Sequence, residues 1–218
     1  MIIVGICGGS GKSTFAERIR DGLSCSCEIM RLDCYYFDQG GKPFEERTKV
    51  NYDSPEIFDF DEMLEDIRLL LDGKPVTRKG YNYAEHRRDD SEELMYPPEV
   101  LIIEGIHVFY DDRICDIMNL KLFIKVDSDI SSNLRRIARD MNERGRSLES
   151  ISEQYKATVK PMREKYIDKY IDKADVVVMR GGMNEQALKT TISYLKSCVK
   201  EQRPAESEKN ESDGNDSE

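Results

Sequence analysis

With 218 residues the chain has room for one α/β domain and a small appendage. Its formal net charge of −10, with 35% charged and 39% hydrophobic residues, describes a globular protein with a wet surface. That charge argues against nucleic acid or an anionic membrane as partner, since both carry phosphate.

The first apolar run, residues 2–7, has no basic region ahead of it and leads straight into glycines. It reads as a buried strand rather than a signal peptide. Residues 13–21 read as a helix, and 28–32 as a second short strand ending at Asp33. Ser54-Pro55 carries the signature of a helix start. Ile57, Phe60, Leu64, Ile67 and Leu71 follow at spacings of three and four, and Gly73 marks the stop. Residues 75–97 are polar and aromatic without helical period, as in a hairpin or irregular insertion. Residues 100–103 form a four-residue apolar run ending at Glu104-Gly105, an interior strand, and 122–126 form another strand.

Residues 128–143 read as a strongly charged helix. A helical stretch over 148–172 follows, with Pro161 as a kink or break. A last strand spans 175–179 and a last helix 184–199. From about residue 201 the composition falls to Glu, Asp, Ser, Asn, Lys and Pro, and a disordered acidic tail over 201–218 is expected. No stretch approaches the roughly 18 apolar residues of a membrane span. The six cysteines show no CxxC pair and no Cys/His spacing of a zinc site, so reduced thiols in a cytoplasm are expected. Five short strands alternating with helices predict an α/β fold with a parallel five-stranded sheet covered on both faces. Such sheets bind ligands at the carboxyl ends of their strands, where Asp33 and Glu104 both fall.

Chemistry enters with Gly8, Gly9, Ser10, Gly11, Lys12, Ser13 and Thr14. They follow the first strand and open a helix in the manner of a P-loop. Backbone N–H groups there converge on phosphates, Lys12 reaches the transferring phosphates, and Ser13 is placed to ligate Mg²⁺. The spacing departs from GxxxxGK: Ile6 occupies the position of the leading glycine, and counted from Gly8 the loop is two residues short. Residues 100–103 followed by Glu104 have the form of a Walker B strand, an apolar run with a carboxylate at the metal end. Asp33 is either the acceptor of a hydroxyl proton or a turn residue beside packing tyrosines. Residues 81–88 hold Tyr81 and His86 and suit a planar base, or else form a solvated hairpin. Arg135, Arg136, Arg139, Arg144 and Arg146 crowd one segment, as a phosphate-closing lid over about 135–165 requires or as an ion-paired helix face supplies. His107 is assigned no role.

These stretches occur in the order and spacing of the uridine (uridine/cytidine) kinase family of P-loop kinases, which the chain resembles over about residues 2–197. The carrying segments are GGSGKST (8–14), DCYYFD (33–38), NYDSPEIFDF (51–60), YNYAEHRR (81–88), IIEGIHVFY (102–110), KLFIKVDSD (121–129), RRIARDMNERGRSLESISEQY (135–155), VKPM (159–162) and ADVVVMRGG (174–182). The resemblance implies one kinase domain over 1–200 that transfers phosphate from ATP or GTP, with Mg²⁺, to the 5′-hydroxyl of uridine or cytidine. It implies Asp33 as general base and Lys12 as phosphate ligand, with Ser13, Glu104 and Asp33 around the metal. Tyr36 and Asp53 would lie at the ribose, Tyr81 and His86 at the base, and Gln154 near the nucleoside. Arg139, Arg144 and Arg146 would act as lid and sugar- or phosphate-contacting residues, Arg139 and Arg144 on the phosphoryl donor and Arg146 on the substrate. A homo-tetramer is also expected of the family. A phosphoribulokinase-type or nicotinamide riboside kinase-type enzyme is the alternative activity. The shortened loop leaves open a weak nucleotide-binding regulator as well.

Overall fold

In the computed structural model the described residues are 1–126, 129–142 and 145–203, and the described side chains exclude those of 90, 129–133, 135 and 139. Of the tail expected over 201–218, Glu201 and Gln202 belong instead to the last helix, and 204–218 lie outside the described residues, as do Arg144 and the Arg139 side chain.

Five strands make one parallel sheet: β1 (Ile2–Gly8), β2 (Cys27–Arg31), β5 (Val100–Glu104), β6 (Leu120–Ile124) and β7 (Val176–Val178), in the order β2-β5-β1-β6-β7. All seven residues of β1 and all five of β5 are buried, because helices cover both faces of the sheet. Ile2, Val4 and Ile6 of β1 pack with Val100 and Ile102 of β5 into one core. Against that face lie α1 (Lys12–Gly22), through Phe15 and Ile19, and α8 (Glu185–Gln202), through Leu195 and Val199. Ile3 and Cys7, with Leu101 and Ile103, face the second core. Its other wall is α3 (Phe60–Leu71), with Met63, Ile67 and Leu70 buried, and α4 (Asp112–Asp116), with Ile114. Each such aliphatic side chain contributes about 1.5–3 kcal/mol on burial, so this two-sided core carries most of the stability.

The insertion is an antiparallel hairpin, β3 (Val76–Asn82) with β4 (Arg87–Met95). A short helix α2 (Phe44–Arg47) lies on the long connection after β2. The charged segment is α5 (Asp129–Asn142), followed by α6 (Leu148–Gln154), a π-helical turn Tyr155–Val159, α7 (Lys160–Lys165) and a 3₁₀ segment Ile167–Lys173.

Two expectations are corrected in detail. The helix expected from Ser54 begins at Phe60, capped by Asp59, whose carboxylate accepts from Glu62 N at 2.9 Å. Ahead of it, Pro55–Ile57 is a 3₁₀ turn, and Phe58 is extended because it bridges to Tyr36. The adjoining bonds Phe37 N to Ile57 O (2.9 Å) and Asp59 N to Tyr35 O (2.7 Å) hold this chain segment against the one after β2. The helical stretch expected over 148–172 runs through α6, the π-helical turn and α7 to Lys165, breaks at Tyr166 and resumes as the 3₁₀ segment Ile167–Lys173. Pro161 sits in the first turn of α7, directly after the π-helical turn, and the change of helical pitch there accompanies its missing N–H. No helix among the described residues is long and apolar enough to cross a membrane.

Candidate active site

Strand register assembles the site. Glu104 is the last residue of β5 and stands in register with Ile6 on one side and Arg31 on the other. Two residues beyond Ile6 the glycine loop begins, and two beyond Arg31 stands Asp33, in the 3₁₀ turn Leu32–Tyr35. Three distant stretches thus meet at neighbouring strand ends, as the parallel topology predicts.

The glycine loop is short in fact as well as in spelling. Ile6 is fully buried within β1, so it cannot serve as the leading residue of a turn, and the turn starts at Gly8. Gly8 and Gly11 both adopt φ of 103°, in the region open to glycine. A Cβ on Gly8 would lie 2.5 Å from Ile124 O, and one on Gly11 2.7 Å from Gly182 N. The loop is therefore clasped between the end of β6 and the turn after β7. Gly9 N donates to Ile124 O at 2.8 Å. The Lys12 ammonium lies against the loop's own carbonyls, 3.4 Å from Gly8 O and 3.3 Å from Gly9 O.

Ser13 Oγ donates to Glu104 Oε1 at 2.9 Å, and Arg31 Nε lies 3.6 Å from the same oxygen. Burial pushes the Glu104 carboxyl above its usual range. Lys12 works against that rise and the charge of Asp33 adds to it, which marks all three groups as neighbours. The donor set of one hydroxyl and two carboxylates is all hard oxygen, the chemistry Mg²⁺ selects.

Beside Asp33 lies an aromatic cluster. Tyr36 stacks on Phe58 with centroids 4.4 Å apart and packs on Tyr81 at 4.7 Å. Tyr52 meets Tyr36 edge-on at 5.4 Å and stacks on the His86 ring at 5.1 Å. Burial holds the Tyr36 phenol well above its ordinary pKa, reinforced by the charges of Asp33 and Asp53, so both acids border this ring. The hairpin is fixed against this cluster by Arg88, whose Nε donates to Tyr36 O at 2.7 Å while its guanidinium forks onto Glu62.

The structure brings together Asp33, Tyr36, Tyr81, His86, Glu104 and the glycine loop. Asp53, 8% exposed, joins them through Tyr36. Its Oδ2 accepts from Thr158 Oγ1 at 2.9 Å, and its Oδ1 lies 3.7 Å from the Arg136 guanidinium. Arg146 and Gln154 are hydrogen-bonded to each other, and Arg146 also donates to Ser150 Oγ at 2.8 Å, so both brace the start of α6. Sequence reasoning gave no site role to Arg136, Thr158, Tyr52, Tyr83 or His107. Arg136 carries a signal as one of five crowded arginines, and Tyr83 as a member of the aromatic segment 81–88.

A model of the phosphoribulokinase / uridine kinase family matches residues 2–187. The chain belongs to that family. A uridine kinase of Ligilactobacillus salivarius is 41% identical over 202 residues, covering 91% of this chain and 94% of that protein. One of Streptococcus uberis is 42% identical over 203 residues, covering 92% and 96%. Among solved structures, phosphoribulokinase from Rhodobacter spheroides superposes with a TM-score of 0.60 at 16% identity, covering 82% of this chain and 69% of that one, which places the fold among P-loop kinases. Membership of a kinase family implies an ATP-type phosphoryl donor.

Proposed function

We propose that the protein phosphorylates the 5′-hydroxyl of uridine, and of cytidine, using ATP or GTP with Mg²⁺. Supporting this are the relatives named uridine kinase at 41–42% identity across nearly the whole chain. The observation that carries it is the meeting of Asp33, Glu104 and the glycine loop on adjacent strand ends beside an aromatic cluster around Tyr36, within whose electrostatic reach Asp53 lies. The aromatic faces and His86 suit a pyrimidine, and Asp53 suits sugar hydroxyls.

Ser13, Glu104 and Asp33 would hold Mg²⁺, which when bound neutralises charge on the transferring phosphates. Lys12 leaves the loop carbonyls and turns to the donor phosphates. Asp33 takes the proton from the 5′-hydroxyl, whose oxygen forms the new bond to the γ-phosphorus while the bond from that phosphorus to the bridging oxygen breaks. Arg139 and Arg144 close over the phosphates, Arg146 contacts the substrate, and Gln154 lies near the nucleoside.

Incubation with radiolabelled ATP and a panel of nucleosides tests the reading. Label appearing in uridine and cytidine monophosphates is the expected result. Label entering ribulose 5-phosphate or nicotinamide riboside instead would move the assignment to those kinase types. The clasped, shortened loop favours a second reading, a nucleotide-binding regulator of low turnover. Tight uridine binding without any transfer would establish it.

A further inference from the structure

At the tip of the hairpin, the Tyr83 hydroxyl donates to Asp33 Oδ2 at 2.6 Å. This is the short hydrogen bond of a neutral donor on a charged acceptor, stronger than a bond between neutral groups. The phenol is delivered by an element whose position does not depend on it. Arg88 ties the hairpin to Tyr36 O and Glu62, and Tyr52 Oη donates to His86 O at 3.3 Å. The tip is itself stiffened by Asn82, whose Oδ1 accepts from both Ala84 N and Glu85 N at 3.0 Å. The Tyr83 ring meets Tyr81 edge-on at 5.2 Å, which fixes its direction.

Asp33 is half-buried on a 3₁₀ turn, and its carboxylate can rotate about two side-chain torsions. Pinning Oδ2 removes that freedom and leaves Oδ1 to accept a proton. We propose that Tyr83 is a positioning residue for phosphoryl transfer: its hydroxyl holds the Asp33 carboxylate in the orientation that receives the proton of the attacking hydroxyl. The proposal rests on Asp33 being the general base. The proton passes from the 5′-hydroxyl to Asp33 Oδ1, and the phenol keeps its own proton throughout. Orientation of this kind acts on the chemical step and not on binding, because misplacing a reacting group costs rate without removing a contact to substrate.

Tyr83→Phe removes the hydroxyl and retains the ring packing. The expected result is a kcat lowered roughly tenfold, with KM for uridine within about twofold and an unchanged melting temperature. In an Asp33→Asn background, itself lowered roughly 10²-fold, Tyr83→Phe should cause no further loss, since the two groups act as one unit. A Tyr83→Phe enzyme with wild-type kcat overturns the proposal. So does an equal loss in both backgrounds, which would mean that the phenol acts elsewhere, and so does a raised kcat, which would make the contact inhibitory. If Asp33→Asn alone keeps kcat within about threefold, the reading of Asp33 as base fails first, and the proposal falls with it.

Discussion

His107 Nε2 donates to the backbone carbonyl of Asp53 at 2.8 Å, and Tyr170 Oη lies 2.9 Å from the ring's other nitrogen. A carbonyl only accepts, so Nε2 carries the proton, and Nδ1 accepts from Tyr170. The fully buried ring is neutral, and it fastens the Asp53 segment to the end of β5 from beneath.

His107→Phe leaves the Asp53 carbonyl and the Tyr170 hydroxyl without this partner, at about 1–3 kcal/mol for each buried group left unsatisfied. A melting temperature lowered by roughly 5–10 °C is expected. The pH dependence gives a sharper check. Burial pushes the imidazole below its usual 6.5 and Lys12 adds to that, outweighing Asp53 and Glu56, which pull the other way; Tyr110, Tyr166 and Tyr170 complete its surroundings. The unfolded chain therefore takes up a proton that the folded ring refuses, so this stabilisation is lost as pH falls below about 6.5. The buried Glu104 carboxyl, with its raised pKa, has the opposite sign but is common to both proteins. Melting curves at about pH 7 and about pH 5.5 should show a smaller acid-induced drop in His107→Phe than in the wild type. Equal drops would mean that the imidazole is not held neutral.

Thr158, in the π-helical turn Tyr155–Val159, holds the same aspartate. Thr158→Val keeps the shape and removes the donor to Asp53 Oδ2. One hydrogen bond of about 1 kcal/mol corresponds to a KM for uridine raised roughly threefold to tenfold, with kcat little changed. Steady-state kinetics with uridine varied decide it, and an unchanged KM would detach this contact from nucleoside binding.

What the chain order discloses and what it hides follow from distance along it. The strands are readable because parallel strands buried on both faces need unbroken apolar runs, as residues 2–7 and 100–103 show. Glu104 is readable because it ends such a run, and Asp33 because it comes just after the short second strand. Tyr83, His107 and Thr158 are not, because each acts on a partner 50, 54 and 105 residues away respectively, through a single polar atom that no periodicity announces. The start of α3 was misplaced for a related reason. The Ser54-Pro55 signal is sound locally, but the bridge from Phe58 to Tyr36 overrides it.

His86 joins the aromatic cluster through its stacking on Tyr52, at a backbone φ of 51° in the hairpin tip. His86→Ala should raise KM for uridine by a factor corresponding to about 1–3 kcal/mol and loosen discrimination between pyrimidine and purine nucleosides. A nucleoside panel run on wild type and variant measures both, and an unaltered preference would reduce the segment to a scaffold for Tyr83.

The clasped loop makes the last prediction. A phosphate cradle turns consecutive N–H groups inward before the helix begins. From Gly8 to Gly11 only Gly9 and Ser10 intervene, and the Gly9 N–H is already taken by Ile124 O at 2.8 Å. Close approach to Ile124 on one side and Gly182 on the other leaves the loop no slack to widen. Inserting Gly-Ser after Ser10 restores the full GxxxxGK spacing. It should tighten MgATP binding roughly tenfold, about 1.4 kcal/mol, and raise turnover with uridine. Calorimetric titration of both forms with a non-hydrolysable ATP analogue checks the affinity, with a melting curve to show that the insertion folds. Equal affinities would mean that the short loop is already a competent cradle, in which Lys12 exchanges the Gly8 and Gly9 carbonyls for phosphate without help from additional N–H groups.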